Sequence, residues 1–335
     1  MRTRRRRKKK SLVVILVLLA ILLGVVAAGF FTVNHYLNRI NRVDDMLEIV
    51  DPANEDFETE ENPGLEEMNP EDVVWDLVNA GNGGKGSLGD EHLLNILLVG
   101  QDRRPGQGRQ RSDSMIVCSF NVEKKTMSMI SFLRDLYVTI PGYTDNRLNA
   151  AYVFGGFPLL KSSLFTNFGI TIDACVEVDF NGFIALIDEI NGIDINLTAA
   201  EAQRVGRGTK EGMNHLNGEK ALAYARIRKI GTDFARTNRQ RTVLLAAFEK
   251  VKDKSLPEML KLLDESLPYV TTDMKNADIY SLATKLFPMA TSVKIDTYYV
   301  PPENTYSDVY IRGMAVLYPD LAAIRNILKN EYLPF

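Results

Sequence analysis

Cysteine is nearly absent from the 335 residues: Cys118 and Cys175 are the only two, each inside an apolar run that reads as a strand. Buried thiols are therefore expected, not a disulfide framework. No Cys-x-x-Cys, His-Glu-x-x-His or other Cys/His ligand spacing occurs, which argues against a zinc site. The histidines His35, His92 and His215 are scattered, and no Gly-x-Ser-x-Gly elbow exists, so Ser-His-Asp hydrolysis has little support. The glycine-rich run 81–89 lacks the Gly-Lys-Ser/Thr order of a phosphate loop and follows no strand, so it reads as a linker. A basic excess is missing too, since the formal net charge is −3. Without a basic recognition helix, nucleic acid is not an expected partner.

What the chain does have is charge sorted by segment. Residues 2–10 carry eight Lys/Arg and no acid, and Leu12 to Val33 carries no charge at all. That apolar length spans the ~30 Å hydrocarbon core of a bilayer. The basic flank then stays cytoplasmic, which puts the remaining chain outside the cell. A cleaved signal peptide is the alternative, with small residues at Val26-Ala27-Ala28, but its apolar run is usually about 7–15 residues. The expected organisation is a basic cytoplasmic tail (1–10), a single transmembrane anchor (11–33), an acidic stalk and Gly-rich linker (34–90) and an extracytoplasmic domain (91–335). The stalk assignment rests on fourteen Asp/Glu and no Lys/Arg over residues 43–76, a self-repelling composition. A short helix is expected around Asp72 to Val78.

From Leu93 onward apolar runs of strand length alternate with helical patterns. Strands are expected at Leu93–Val99, Met115–Phe120, Thr126–Phe132, Ile172–Val178, Ile193–Leu197 and Val293–Val300. Helices are expected at Leu148–Phe168, interrupted at Gly155-Gly156, at Gly182–Ile190, across an Arg-rich pair near 221–250, over two or three segments within 256–286, and at Pro319–Lys329 with Pro319 near its first turn. The alternation predicts an α/β fold with a mixed central sheet flanked by helices.

The chemistry concentrates in two clusters. Arg226, Arg228, Arg236 and Arg239 fall within fourteen residues, with Asp233 and Gln240 among them. Arg236 and Gln240 are spaced i, i+4, so one helical face presents both. Guanidinium forks held between apolar faces grip phosphate bidentately. Upstream, Asp102 and Asp113 fall at strand ends flanking one loop, beside Arg111, and Arg134 ends another strand. Two such carboxylates can converge on a hard cation such as Mg²⁺, which takes a few carboxylates plus phosphate oxygens. Two acids and the arginines 111, 134, 226, 228 and 236 suit Mg²⁺ with a di- or polyphosphate.

The ordered blocks Asn95 to Arg104, Arg111 to Met115, Arg134 to Gly142, Arg147 to Tyr152 with Gly155-Gly156, Asn217 to Arg228, Asp233-Phe234 and Arg239-Gln240 make the chain recognisable over about residues 91–250. It resembles the LytR-CpsA-Psr family of bacterial envelope proteins. The resemblance implies a membrane-anchored, Mg²⁺-dependent phosphotransferase that moves a glycan polymer from a polyprenyl-pyrophosphate carrier to peptidoglycan. The implied acceptor is a muramic-acid 6-hydroxyl, joined through a phosphodiester. It also implies Mg²⁺ at Asp102 and Asp113, and pyrophosphate contacts from Arg111, Arg134, Arg226, Arg228, Arg236 and Gln240. Arg147, Asp233 and Arg239 are implied as substrate-binding, and Asp113 and Asp233 are candidate bases. Phe132-Leu133 stands where the family usually has Ile-Pro, which frees the backbone before Arg134. Phe183, Leu186, Ile187 and Ile190 have the period to wall a prenyl groove or to be plain core. Three other readings are a (pyro)phosphatase using the same site, a receptor that only holds a polyanionic lipid, and a transcriptional attenuator. The last fits poorly with a domain outside the cell.

Overall fold

The structure is a computed structural model, and it describes residues 34–35, 37–43, 49–55, 57–75, 77, 88, 93–103, 108–255, 258, 261–262, 265–289 and 291–333. The expected tail and anchor lie outside these residues, as does the Gly-rich linker apart from Leu88. Among the described residues no helix is long and apolar enough to cross a membrane.

Among the described residues the longer strands are β1 (Leu93–Gln101), β2 (Ser112–Asn121), β3 (Thr126–Phe132), β4 (Ala174–Asp179), β5 (Ile193–Leu197), β6 (Gly212–Leu216), β7 (Lys294–Val300), β8 (Tyr306–Ile311) and β9 (Met314–Pro319). The helices are α1 (Leu148–Phe168), α2 (Phe180–Glu189), α3 (Ala199–Val205), α4 (Gly218–Ala225), α5 (Asp233–Val251), α6 (Asn276–Leu286) and α7 (Leu321–Ile327). A seven-stranded mixed sheet runs in the order Asn41–Arg42, Thr271–Thr272, β4, β1, β2, β3, β7. β1 lies at its centre, parallel to β4 and antiparallel to β2. Its near-continuous apolar run follows from burial on both faces.

One face packs on α1 and α7, where Leu97, Val117, Ile130 and Phe132 meet Phe154, Phe157, Leu164 and Ile324. The other face carries Ile96, Ile116, Cys118 and Met129 against Leu244 and Leu245 of α5 and Leu282 of α6. Cys175 belongs to the first face and Cys118 to the second, and both are buried free thiols. A third cluster joins β5, β6 and helices α2, α3, α4 and α5, including Ile187, Leu197, Leu216 and Val243.

α1 is broken at Gly155 and Gly156, and Gly156 has φ 61°. A Cβ there would lie 2.9 Å from the Arg109 guanidinium carbon, so glycine suits both the backbone and the close approach. Pro158 then falls in the first turn of the second half, where its missing N–H costs nothing. The kink costs about 1 kcal/mol per glycine. Fully burying each of Tyr152, Phe154, Phe157, Leu160 and Phe168 contributes on the order of 1.5–3 kcal/mol, which outweighs it.

Three expectations need correction. Pro319 closes β9 instead of opening a helix; Asp320 caps α7 by accepting from Ala323 N at 2.9 Å. The segment expected to be helical near Asp72 is a single 3-10 turn, Pro70–Asp72, followed by extended backbone. Residues 49–55 and 57–75 are also not a free stalk but an acidic strap along the body. Val50 N donates to Phe154 O at 2.8 Å, Glu66–Glu67 pairs in parallel with β8, and Trp75 Nε1 donates to Asp145 at 2.7 Å. Glu58 and Glu60 pair with Arg147. Their acidic composition is answered by cations of the body, and Phe57, Met68, Val73 and Trp75 bury against Tyr137, Val309 and Val316.

Candidate active site

The carboxyl ends of β1, β3 and β4 and the start of β2 share one edge of the sheet, as their pairing directions dictate. Asp102 directly follows β1, Asp113 is the second residue of β2, and Arg134 stands just beyond β3. α4 begins with Asn217 accepting from Lys220 N and ends at Ala225, so Arg226 is its C-cap. Arg228 lies in the connection to α5, whose first two turns present Asp233, Arg236 and Gln240.

These side chains form one ionic network. Arg226 Nη2 lies 3.4 Å from Asp102 Oδ2, and Arg228 Nη2 lies 3.4 Å from Asp113 Oδ1. Arg134 Nη1 reaches the same Asp113 oxygen at 3.1 Å, while its Nε lies 3.4 Å from Asp135 and 3.7 Å from Asp233. Arg236 Nη2 donates to Asp233 Oδ2 at 2.6 Å. The Arg226 guanidinium also stacks 4.2 Å from the centre of the Phe180 ring. Burial works against the charge on Arg134, but Asp135, Asp233 and Asp113 outweigh it, and its pKa lies above the ordinary value. Arg236 goes the other way: burial lowers it, and Arg134 and Arg228 add to the depression. Only 3% of Arg236 is exposed, and its Nε and Nη1 find no hydrogen-bond partner among the described residues. Gln240 Oε1 is buried without a partner as well. A guanidinium fork bordering a cavity can take an anion bidentately.

Two cavities meet at this network. An apolar one of about 450 Å³ runs between the sheet face and helices α2, α4 and α5, walled by Leu98, Ile116, Phe183, Leu186, Ile187, Ile190, Val243 and Phe248. Arg226, Arg228, Arg236 and Gln240 border it too. A polar one of about 690 Å³ is bordered by Asp102, Arg111, Asp113, Arg134, Asn149 and Arg228, and by Glu58 of the acidic strap. Asp113 and Arg228 belong to both cavities. All four candidate groove residues, Phe183, Leu186 and Ile187 of α2 and its C-cap Ile190, thus line the apolar cavity, one wall of which is the apolar face of α5.

Arg147 and Arg239 stand apart from the cavities. Arg147 is engaged by Glu58, Glu60 and Asp135 and donates to Ala315 O at 3.0 Å. Arg239 ties α5 to Glu201 of α3 at 3.2 Å and to Ile230 O. Arg111 borders the polar cavity with its Nε 3.4 Å from Glu58. Leu133 N donates to Val300 O at 2.9 Å, a bond that a proline there would not make, so the chain before Arg134 is fixed to β7. Asp102 and Asp113 border one polar cavity, which fits Mg²⁺ held by two carboxylates and phosphate oxygens. No cluster of three or more His/Cys/Asp/Glu occurs among the described residues.

Beneath the site lies a network that sequence reasoning missed. Buried Glu177 of β4 accepts from Gln101 Nε2 and Tyr152 Oη, with Arg103 at 3.5 Å, and Gln101 Oε1 accepts from Gln110 N at 2.9 Å. It braces both ends of the loop that carries Asp102 and Arg111. A lone acid inside the apolar run Ala174-Cys175-Val176-Glu177-Val178 was its signal.

Comparison with known proteins agrees with this fold. The LytR_cpsA_psr family matches residues 64–330. "Regulatory protein MsrR" of Staphylococcus aureus (strain COL) is 33% identical over 228 residues, covering 67% of this chain and 69% of that one. The polyisoprenyl-teichoic acid–peptidoglycan teichoic acid transferase TagV of Bacillus subtilis (strain 168) is 33% identical over 267 residues, covering 71% and 67%. A structure of the LytR-CPS2A-psr family protein YwtF (TagT) with bound octaprenyl pyrophosphate lipid superposes with a TM-score of 0.56 at 26% identity, over 72% of this chain and 91% of that one. With its mixed sheet, its arginine-ringed edge and these matches, the chain belongs to the LytR-CpsA-Psr family.

Proposed function

We propose that the chain is a phosphotransferase that moves a glycan polymer from a polyprenyl-pyrophosphate carrier onto a peptidoglycan hydroxyl, forming a phosphodiester. The observation that carries this is the apolar cavity bordered by Arg226, Arg228 and Arg236, with Arg236 buried. A ligand that fills both parts has a long apolar tail and a polyanionic head. TagV and the lipid-bound TagT structure support that class of donor.

The prenyl chain lies along Phe183, Leu186 and Phe248, and Arg236, Gln240, Arg226 and Arg228 hold the pyrophosphate. Arg134 and Arg111 reach the sugar-linked phosphate from the polar side. Asp102 and Asp113 would hold Mg²⁺, which would supply Lewis-acid stabilisation of the charge that shifts on the pyrophosphate. The acceptor hydroxyl attacks the sugar-linked phosphorus; the phosphorus–oxygen bond to the polyprenyl phosphate breaks and that phosphate leaves. Arginines preset around the equatorial oxygens stabilise the charge as it shifts. Asp113 and Asp233 both sit in ion pairs with arginines, and a loose transition state needs little base help. The apolar run Leu12 to Val33 anchors the chain in the membrane that supplies the carrier, with the catalytic domain outside.

Mass spectrometry of lipid co-purified with the full-length chain tests the donor assignment. A polyprenyl phosphate or pyrophosphate is expected in the wild type and depleted in Arg236→Ala. Bulk phospholipid alone in both would sink it.

A further inference from the structure

The residues that follow the apolar run are fixed to one corner of the central sheet. The run Leu12 to Val33 ends one residue before Asn34. Asn276 Nδ2 donates to Asn34 Oδ1 at 2.6 Å and to Asn38 Oδ1 at 2.8 Å, and Asn41 Nδ2 donates to Pro268 O at 2.8 Å. Arg42 Nη2 donates to Asn276 Oδ1 at 2.5 Å and to Leu37 O at 3.2 Å. Asn41–Arg42 then pairs in parallel with Thr271–Thr272 as an end strand of the sheet. Leu37 and Ile40 bury against Leu267, so this stretch is a mount and not a solvated stalk.

Leu267 belongs to a loop that walls the apolar cavity. Ser266 and Val270, on either side of it, line that cavity together with Phe183 of α2. Leu37 is four residues past Val33, at most about 14 Å of extended chain. The apolar run therefore ends close to the wall of the cavity. The surface of this corner suits a bilayer. Tyr269 is 41% exposed, and Arg39 and Arg42 are exposed as well. Amphipathic rings settle at the level of lipid headgroups, and guanidinium groups beside them attract anionic lipid. The other end strand of the sheet, β7, lies six strand spacings away, or about 29 Å.

Resting on the anchor and the carrier proposed above, we infer that the corner formed by residues 34–42 and the loop 266–270 lies on the bilayer surface. The prenyl chain enters the apolar cavity there, past Ser266 and Val270. A long prenyl chain in water is disfavoured in proportion to its apolar area, and loading at the surface keeps it out of water. Asn276, bonded to Asn34, Asn38 and Arg42, positions this entry against the membrane without touching the carrier.

The experiment reconstitutes the full-length chain in vesicles of phosphatidylethanolamine and phosphatidylglycerol doped with a headgroup spin-labelled lipid. A fluorophore is attached at Tyr269→Cys or at Lys294→Cys, the latter at the start of β7; the native thiols are buried. The spin label should quench the fluorophore at 269 and leave the one at 294 bright. Equal quenching, or stronger quenching at 294, overturns the orientation. Asn276→Ala is then compared with wild type on two donors, with one peptidoglycan oligomer as acceptor. One donor is a polyprenyl-pyrophosphate-linked disaccharide in the vesicles, the other a water-soluble short-chain analogue in detergent. KM for the vesicle-borne donor should rise about three- to ten-fold, as a fixed mount becomes a loose tether, and KM for the soluble donor should not move. A rise for both donors, or for neither, overturns the loading route. If Asn276→Ala fails to fold, the quenching pair alone decides. A wild type that does not float with the vesicles overturns the anchor instead, and one that floats but transfers neither donor overturns the function on which the inference rests.

Discussion

Arg236 and Asp233 stand three residues apart at the start of α5 and bond at 2.6 Å, yet this pair leaves two guanidinium nitrogens of Arg236 unused. Asp233 is also shared with Arg134 at 3.7 Å, so one carboxylate orients two forks. Burial separates Arg236 from Arg226 and Arg228. Arg226 and Arg228 have side chains 51% and 55% exposed and are held at one point each by Asp102 and Asp113.

Arginine-to-lysine exchanges should therefore split. Arg226→Lys and Arg228→Lys should change stability by less than about 0.5 kcal/mol and each cut transfer about ten-fold or more. Arg236→Lys should cost transfer the most, up to about a hundred-fold, because the unused nitrogens belong to the fork that lysine lacks. Turnover equal to wild type in all three would return these arginines to a structural role.

The two aspartates should also differ. Asp102 pairs with one arginine, whereas Asp113 holds Arg134 and Arg228 through a single oxygen. Both Asp102→Ala and Asp113→Ala should abolish Mg²⁺-dependent transfer, but only Asp113→Ala should also lower the melting temperature. A magnesium titration with near-wild-type activity in either variant would contradict the metal assignment.

Arg147 carries the strap. Removing its fork takes partners from Glu58 and Glu60, which are about half-exposed, so Arg147→Ala should cost about 1–2 kcal/mol. Limited proteolysis should then cut within residues 49–75 before the body is cut. Protection equal to wild type would show that the buried apolar contacts of Phe57 and Trp75 hold the strap unaided.

Burial raises the Asp135 carboxyl above its ordinary value although Arg134 and Arg147 pull it down. A group with a raised folded pKa adds stability below its unfolded value, about 3.9, and loses it as pH climbs through the folded value. Asp135→Asn cannot ionise and escapes that loss. The wild-type melting temperature minus that of Asp135→Asn should fall as pH rises from about 4 to about 7. A constant or growing difference would mean that the ion pairs dominate.

Much of this was legible in the chain. β1, β3 and α1 announced themselves by apolar run or period, and the break at Gly155-Gly156 is where the glycines stand. The arginine cluster and both aspartates do share one edge, because strand ends and helix starts alternate along the sequence. The β8–β9 hairpin was missed because its two-residue turn, Arg312-Gly313, has positive φ at both positions without the usual Asn-Gly signature. The acidic strap was misread because composition reports self-repulsion and not the arginines that answer it.

The most direct measurement is product analysis of one reaction: a synthetic polyprenyl-pyrophosphate-linked glycan and a peptidoglycan oligomer, incubated with the full-length chain and Mg²⁺ and resolved by mass spectrometry. The expected products are a phosphodiester-linked conjugate and polyprenyl phosphate in equal amounts, with both lost in Arg236→Ala. Free glycan phosphate with no conjugate would make the chain a pyrophosphatase, and no product beside tight lipid binding would make it a receptor; either contradicts transfer.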